Sequence, residues 1–157
     1  MIGLITPAQR ERGEKLRALS ERLKGVPVSW GSDDCSAMPA QWVADQTGKE
    51  FDWPDYSTRD EAIEVTEREG GLIAIWERTA RAIGLPEIIN ECPQIGDVGI
   101  IVDNHEVPVG GIFLHGGVIM WRAGTGTRQI GVYGRTYPAR VNGLIVRKPL
   151  LLKAWRV

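Results

Sequence analysis

Residues 95–121 read IGDVGIIVDNHEVPVGGIFLHGGVIMW. Three short apolar runs stand out in it, 97–103 (DVGIIVD), 109–114 (VGGIFL) and 118–121 (VIMW), rich in β-branched and aromatic residues. Gly and Asn separate them, as expected for strands joined by turns. Working downstream, further strands are expected at 129–133, 141–146 and 150–155. Upstream the period changes to that of helices. Thr6 followed by Pro7 offers a capping side chain and then a proline at the first helical position. Leu16, Leu19 and Leu23 recur on one face until Gly25 and Pro27. A second helix is expected from Asp33 or Asp34 to Thr47, closed by Gly48, with Met38, Trp42 and Val43 inward. The aromatic stretch FDWPDYS (51–57) reads as a loop. Thr58 and Glu61 form a capping box that opens a third helix, closed by Gly70-Gly71. A fourth runs from Leu72 to Ile83, with Ile75, Trp76 and Ala80 inward and Gly84 as its cap. Four helices followed by consecutive strands predict an α+β fold.

The chain has 157 residues, 43% of them apolar and 25% charged, which fits one globular domain over 1–157 and excludes disorder and coiled coil. Nineteen Lys and Arg face twenty Asp and Glu, a net charge of -1 without the basic excess that nucleic-acid binding requires. No stretch approaches the roughly 20 apolar residues that span a membrane. The first residues lack a signal-peptide pattern, so the expectation is a chain made in the cytoplasm. Cys35 and Cys92 are the two cysteines, too few for a disulfide framework and without C-x-x-C spacing, although one bridge between them is possible.

Cys35 is the residue that invites chemistry. It stands where an apolar helical pattern begins, so the free N–H groups and positive dipole end of a helix face it, and both favour a thiolate. Asp33 and Asp34 oppose this if they point at the sulfur, and either can instead cap the helix. The same position also suits a small, buried, unreactive cysteine. A thiolate nucleophile needs a base, and the chain holds two histidines. His115 leads the strand-like HGGVIM; His105, in the polar turn DNHEVP, is the weaker choice.

Residues 26–36, VPVSWGSDDCS, resemble the active-site approach of NlpC-type cell-wall endopeptidases, a bacterial and phage branch of the papain-like cysteine peptidases. Pro27, Trp30, Gly31, Asp34, Cys35 and Ser36 match in kind and order, and Gly96-Asp97 is similar to the family's strand-leading Gly-Asp. The resemblance implies a papain-like fold with the helical half packed on an antiparallel sheet. It implies Cys35 as nucleophile, His115 as general base and then acid, and Gln129 as the polar residue orienting the imidazole. The backbone N–H of Cys35 would then serve an oxyanion hole. The substrate class it implies is an amide bond in peptidoglycan stem peptides, with no cofactor and no metal. Val28 and Ala37 stand where the family commonly has tyrosine and glycine, which keeps open a second expectation, an inactive structural or adaptor relative. The closing Ala154-Trp155-Arg156-Val157 resembles short phage and prophage members encoded among tail genes, which implies a virion location and tail-protein partners.

Other motifs carry less. GTGTRQIG (124–131) lacks dinucleotide-fingerprint spacing and the lysine of a P-loop, and reads as a hairpin turn. Cys92 and the histidines have no metal-ligand spacing. Asp52 and Asp55 share a polar loop, where carboxylates are ordinarily solvated. Trp30 and Trp53 are candidates to line a substrate groove.

Overall fold

A computed structural model describes residues 3–103 and 107–157. Four helices come first: α1 (Pro7–Leu23), α2 (Ala37–Thr47), α3 (Arg59–Arg68) and α4 (Leu72–Ile83). The strands follow: β1 (Val98–Val102), β2 (Pro108–Phe113), β3 (Val118–Arg122), β4 (Thr127–Gly131), β5 (Thr136–Val141), β6 (Leu144–Pro149) and β7 (Leu151–Trp155). Five form one antiparallel sheet in the order β4-β3-β2-β1-β7, while β5 and β6 pair only with each other. The fold is α+β, as the order of patterns predicts.

Local chemistry sets the helix ends. Thr6 and Gln9 make a full reciprocal capping box on α1, and Gly48 and Gly84 close α2 and α4 in the left-handed conformation. On α3 the expected box is modified. Thr58 caps the Glu61 N–H, but the Glu61 carboxylate reaches back to Ser57 instead of Thr58. Burial follows the strand period. Val98, Ile100, Ile112 and Met120 face the helices and meet Leu16, Met38, Trp42, Val43, Trp76 and Ile83. Ile101, Phe113, Ile119 and Ala154 face the other way, with Val132.

Two expected strands shift. The one placed at 129–133 is β4, two residues earlier. The stretch 141–146 is not one strand but the tip of a hairpin: Val141 ends β5, Asn142 and Gly143, with φ of 50° and 78°, make the turn, and Leu144–Val146 open β6. Asn-Gly is the pair that a two-residue hairpin of this twist selects, and it overrides the apolar run around it. GTGTRQIG does hold a turn, with the Ala123 N–H donating to the Gly126 carbonyl before β4 begins.

The Gly-Asp pair and the chain's last residues prove to be one structure. Asp97, fully buried, accepts from the Gln94 and Val157 backbone N–H groups at 2.7 and 3.1 Å and pairs with Arg156 at 3.1 Å. Trp42 donates to the Gly96 carbonyl at 2.8 Å, and Trp155 stacks on Trp76 with ring centres 5.9 Å apart. These contacts lock β1, β7 and the helical layer together under the site.

Candidate functional site

Cys35 does not lie inside α2, which begins two residues later at Ala37. It sits in the turn that leads into the helix. Asp34 explains why. Its buried carboxylate accepts from the Gly31, Ser36 and Ala37 backbone N–H groups at 2.7, 2.9 and 2.9 Å, which leaves the Ser36 hydroxyl and the Cys35 N–H as donors to the sulfur. The Tyr56 hydroxyl donates to the same carboxylate at 3.0 Å. Gly31 makes this turn with φ of 87°, and a methyl group there would overlap the Tyr56 carbonyl oxygen. Gly110 of β2 serves the same approach from the sheet side, since a side chain there would press on the Cys35 carbonyl oxygen at 3.0 Å.

The segment before Cys35 is tied down from β3. Arg122, its side chain wholly buried, donates to the carbonyls of Gly126, Val26 and Pro27 at 2.7, 2.9 and 3.0 Å and lies 3.4 Å from Asp33. Val28 N–H donates to the Gly124 carbonyl, and Pro27 bridges Thr125. One guanidinium fork therefore holds residues 26–33 against the β3–β4 turn.

Around Cys35 is a cavity of about 460 Å³ walled by Trp30, Trp53, Tyr56, Ile63, Leu72 and Val109, among others. Both tryptophans expected in a groove line it. Its character is apolar, and that governs the thiol. Burial pushes Cys35 up to about 11 from an ordinary 9.0, and the Asp34 charge adds to the push. Burial, then Asp34, likewise raises the Tyr56 phenol well above its usual range.

The other expected partners are elsewhere. His115 follows the far end of β2, five residues past the Gly110 that touches the Cys35 turn, roughly 15 Å of extended chain. It is exposed in a turn whose Gly116 and Gly117 have φ of 70° and 73°, and it borders a separate cavity with Gly13, Arg17, Ser20 and Gln129. His115 and Gln129 thus share a site with each other and not with Cys35. The strand register is the reason: β2 presents Val109 and Gly110 to Cys35. The expected Cys35–His115 pair is not assembled, and no described residue lining the Cys35 cavity is a histidine. His105 lies outside the described residues.

Cys35 and Cys92 are both free thiols, so the possible bridge is absent. Cys92 is exposed beside Tyr133, whose phenol is pushed up to about 12 by burial and by Cys92. Asp52 and Asp55 are exposed. No cluster of metal-ligating side chains gathers among the described residues, and no described helix is long and apolar enough to cross a membrane. Sequence reasoning missed Tyr56 and Arg122. The aromatic loop 51–57 carried a signal for the first; Arg122 carried none.

A family model described as Domain of unknown function (DUF6950) matches residues 9–138, most of the chain. The chain belongs to the DUF6950 family. No curated protein and no solved structure matches it. The DUF6950 match takes in Cys35 with its cavity, His115 and Gln129, and it ends inside β5.

Proposed function

We propose that this DUF6950 chain is a papain-like, NlpC-type fold whose cysteine site binds instead of cutting, acting as a structural or adaptor component of a phage tail. The observation that carries the reading is the state of Cys35. Its thiol is held near 11 by an apolar cavity over a buried carboxylate, and its walls offer no described imidazole. At pH 7 on the order of one molecule in ten thousand carries the thiolate. A cysteine peptidase needs the reverse: a depressed thiol and a base within hydrogen-bond reach. The resemblance in residues 26–36 then reflects shared architecture, which does not fix chemistry. Tyr56, Trp30 and Trp53 supply rigid aromatic walls suited to an apolar side chain from a partner.

The test is iodoacetamide alkylation of Cys35 against pH in a Cys92→Ser background. The expected profile rises only above about pH 10 and is unmoved by His115→Ala or His105→Ala. Digestion of peptidoglycan by the chain is expected to be nil. A reactive thiol titrating below about 8.5, and losing that reactivity with either histidine, restores the peptidase reading and overturns this one.

A further inference from the structure

The β5–β6 ribbon pairs only with itself, and every residue of β6 is exposed. Its tip is aliphatic. Leu144 is 69% exposed and Ile145 63%, and Val141 and Val146 are exposed beside them. Cross-strand partners share a face, so Val141, Leu144 and Val146 lie on one side ahead of Lys148. Ile145 lies on the other, opposite Arg140 and ahead of Arg147. Both faces therefore run in the same order, aliphatic at the turn and cationic behind it. The ribbon is amphipathic along its length and not across it.

The cations are unopposed. Residues 132–150 carry four Lys and Arg and no Asp or Glu. Beyond the ribbon, Arg122 pairs with Asp33, Lys153 with Glu77 and Glu87, and Arg156 with Asp97. Among the described residues, Arg135, Arg140, Arg147 and Lys148 pair with no carboxylate. A groove on a protein partner is filled by one face of a ribbon. An end that is aliphatic first and cationic about 10 Å behind, three residues of extended chain, suits a medium whose polarity changes with depth. Acyl chains beneath anionic headgroups are such a medium.

We propose that the β5–β6 tip docks on the surface of an anionic lipid bilayer. Val141, Leu144, Ile145 and Val146 enter the outer 5–10 Å or so of the leaflet. Arg147 and Lys148 lie among the headgroups, and Arg140, level with Ile145, reaches back to them along its aliphatic stem. The ribbon rests on the bilayer without crossing it, because its unpaired outer strand edges are not tolerated in hydrocarbon. The acid excess lies elsewhere, with twenty Asp and Glu against eleven Lys and Arg in residues 1–106. Screening over about 10 Å lets the charge at the point of contact, and not the total, decide. This docking is independent of what the Cys35 cavity does.

Sedimentation of the full chain with vesicles tests it, using phosphatidylcholine alone and phosphatidylcholine with about one-third phosphatidylglycerol. The chain is expected to bind the anionic vesicles at about 0.1 M salt, and at least tenfold more weakly at about 0.5 M salt or without the anionic lipid. Leu144→Asp with Ile145→Asp leaves every cation in place and should weaken binding by about tenfold or more. Arg140→Gln with Lys148→Gln leaves the aliphatic tip and should cost about fivefold for each cation removed. All four positions are exposed, and circular dichroism checks that the variants fold. A wild type that ignores anionic vesicles overturns the proposal, as does binding indifferent to the tip substitutions or to salt. Two other outcomes also overturn it. Tip-independent binding to DNA would assign the cations to a polyanion. Self-association abolished by Leu144→Asp, without vesicle binding, would assign the tip to a second copy.

Discussion

Asp34 builds the turn that carries Cys35 and adds to the burial that raises its thiol. One carboxylate accepts three backbone N–H groups and a phenol, which fixes the turn, and its charge also bears on the sulfur. Asp34→Asn is therefore expected to do two things. It should lower the thiol pKa part of the way towards 9.0, because burial, the larger cause, remains. It should also cost about 1–3 kcal/mol, since an amide cannot replace every bond. Alkylation rates against pH and urea denaturation read the two effects, and an unchanged thiol would show that its elevation is burial alone. Gly31 is the other single-residue dependence. Gly31→Ala combines a left-handed backbone with overlap on the Tyr56 carbonyl, and a loss of about 2–4 kcal/mol is expected in the same denaturation experiment.

Among the elements, the segment carrying the cysteine motif is held by a strand far from it in sequence. Arg122→Lys keeps the charge but loses the fork that spans three carbonyls. It should cost about 2–4 kcal/mol and open residues 26–33 to limited proteolysis before the rest of the chain unfolds. If that segment stays as resistant as in wild type, the fork is not what holds it. The helices were legible because their signals are local: Thr6-Pro7, Gly48 and Gly84 lie where each helix starts or stops. The ribbon was not, because the apolar letters from Val141 to Val146 outweighed the Asn142-Gly143 pair within them. The site was half legible. Cys35, Trp30 and Trp53 share a cavity as their motifs suggested, whereas pairing His115 with Cys35 needed a strand register that no local pattern encodes. Tyr56 and Arg122, 21 and 87 positions from Cys35, reach it only through the fold.

At the scale of the molecule, the raised thiol becomes a dependence of stability on pH. Cys35 has a folded pKa of about 11 against 9.0 for an ordinary thiol, so the folded state favours its protonated form. That contribution is complete below pH 9 and is lost as pH climbs through 11. Between those values the wild type should lose about 2 kcal/mol more than Cys35→Ala. Tyr56, raised in the same direction, destabilises both chains at higher pH and does not blur the difference. Parallel alkaline limbs for the two proteins would mean that the thiol titrates normally.

The row of indoles beneath the site has an optical consequence. Trp53 lines the Cys35 cavity and meets Trp76 edge-on at 5.2 Å, and Trp76 stacks on Trp155 at 5.9 Å. Three chromophores that close share their excitation, so their emission and near-ultraviolet dichroism belong to the trio and not to any one ring. Whatever enters the cavity touches one end of this antenna, while the other end is anchored in the core. The protein thus carries its own reporter of occupancy, readable without a dye.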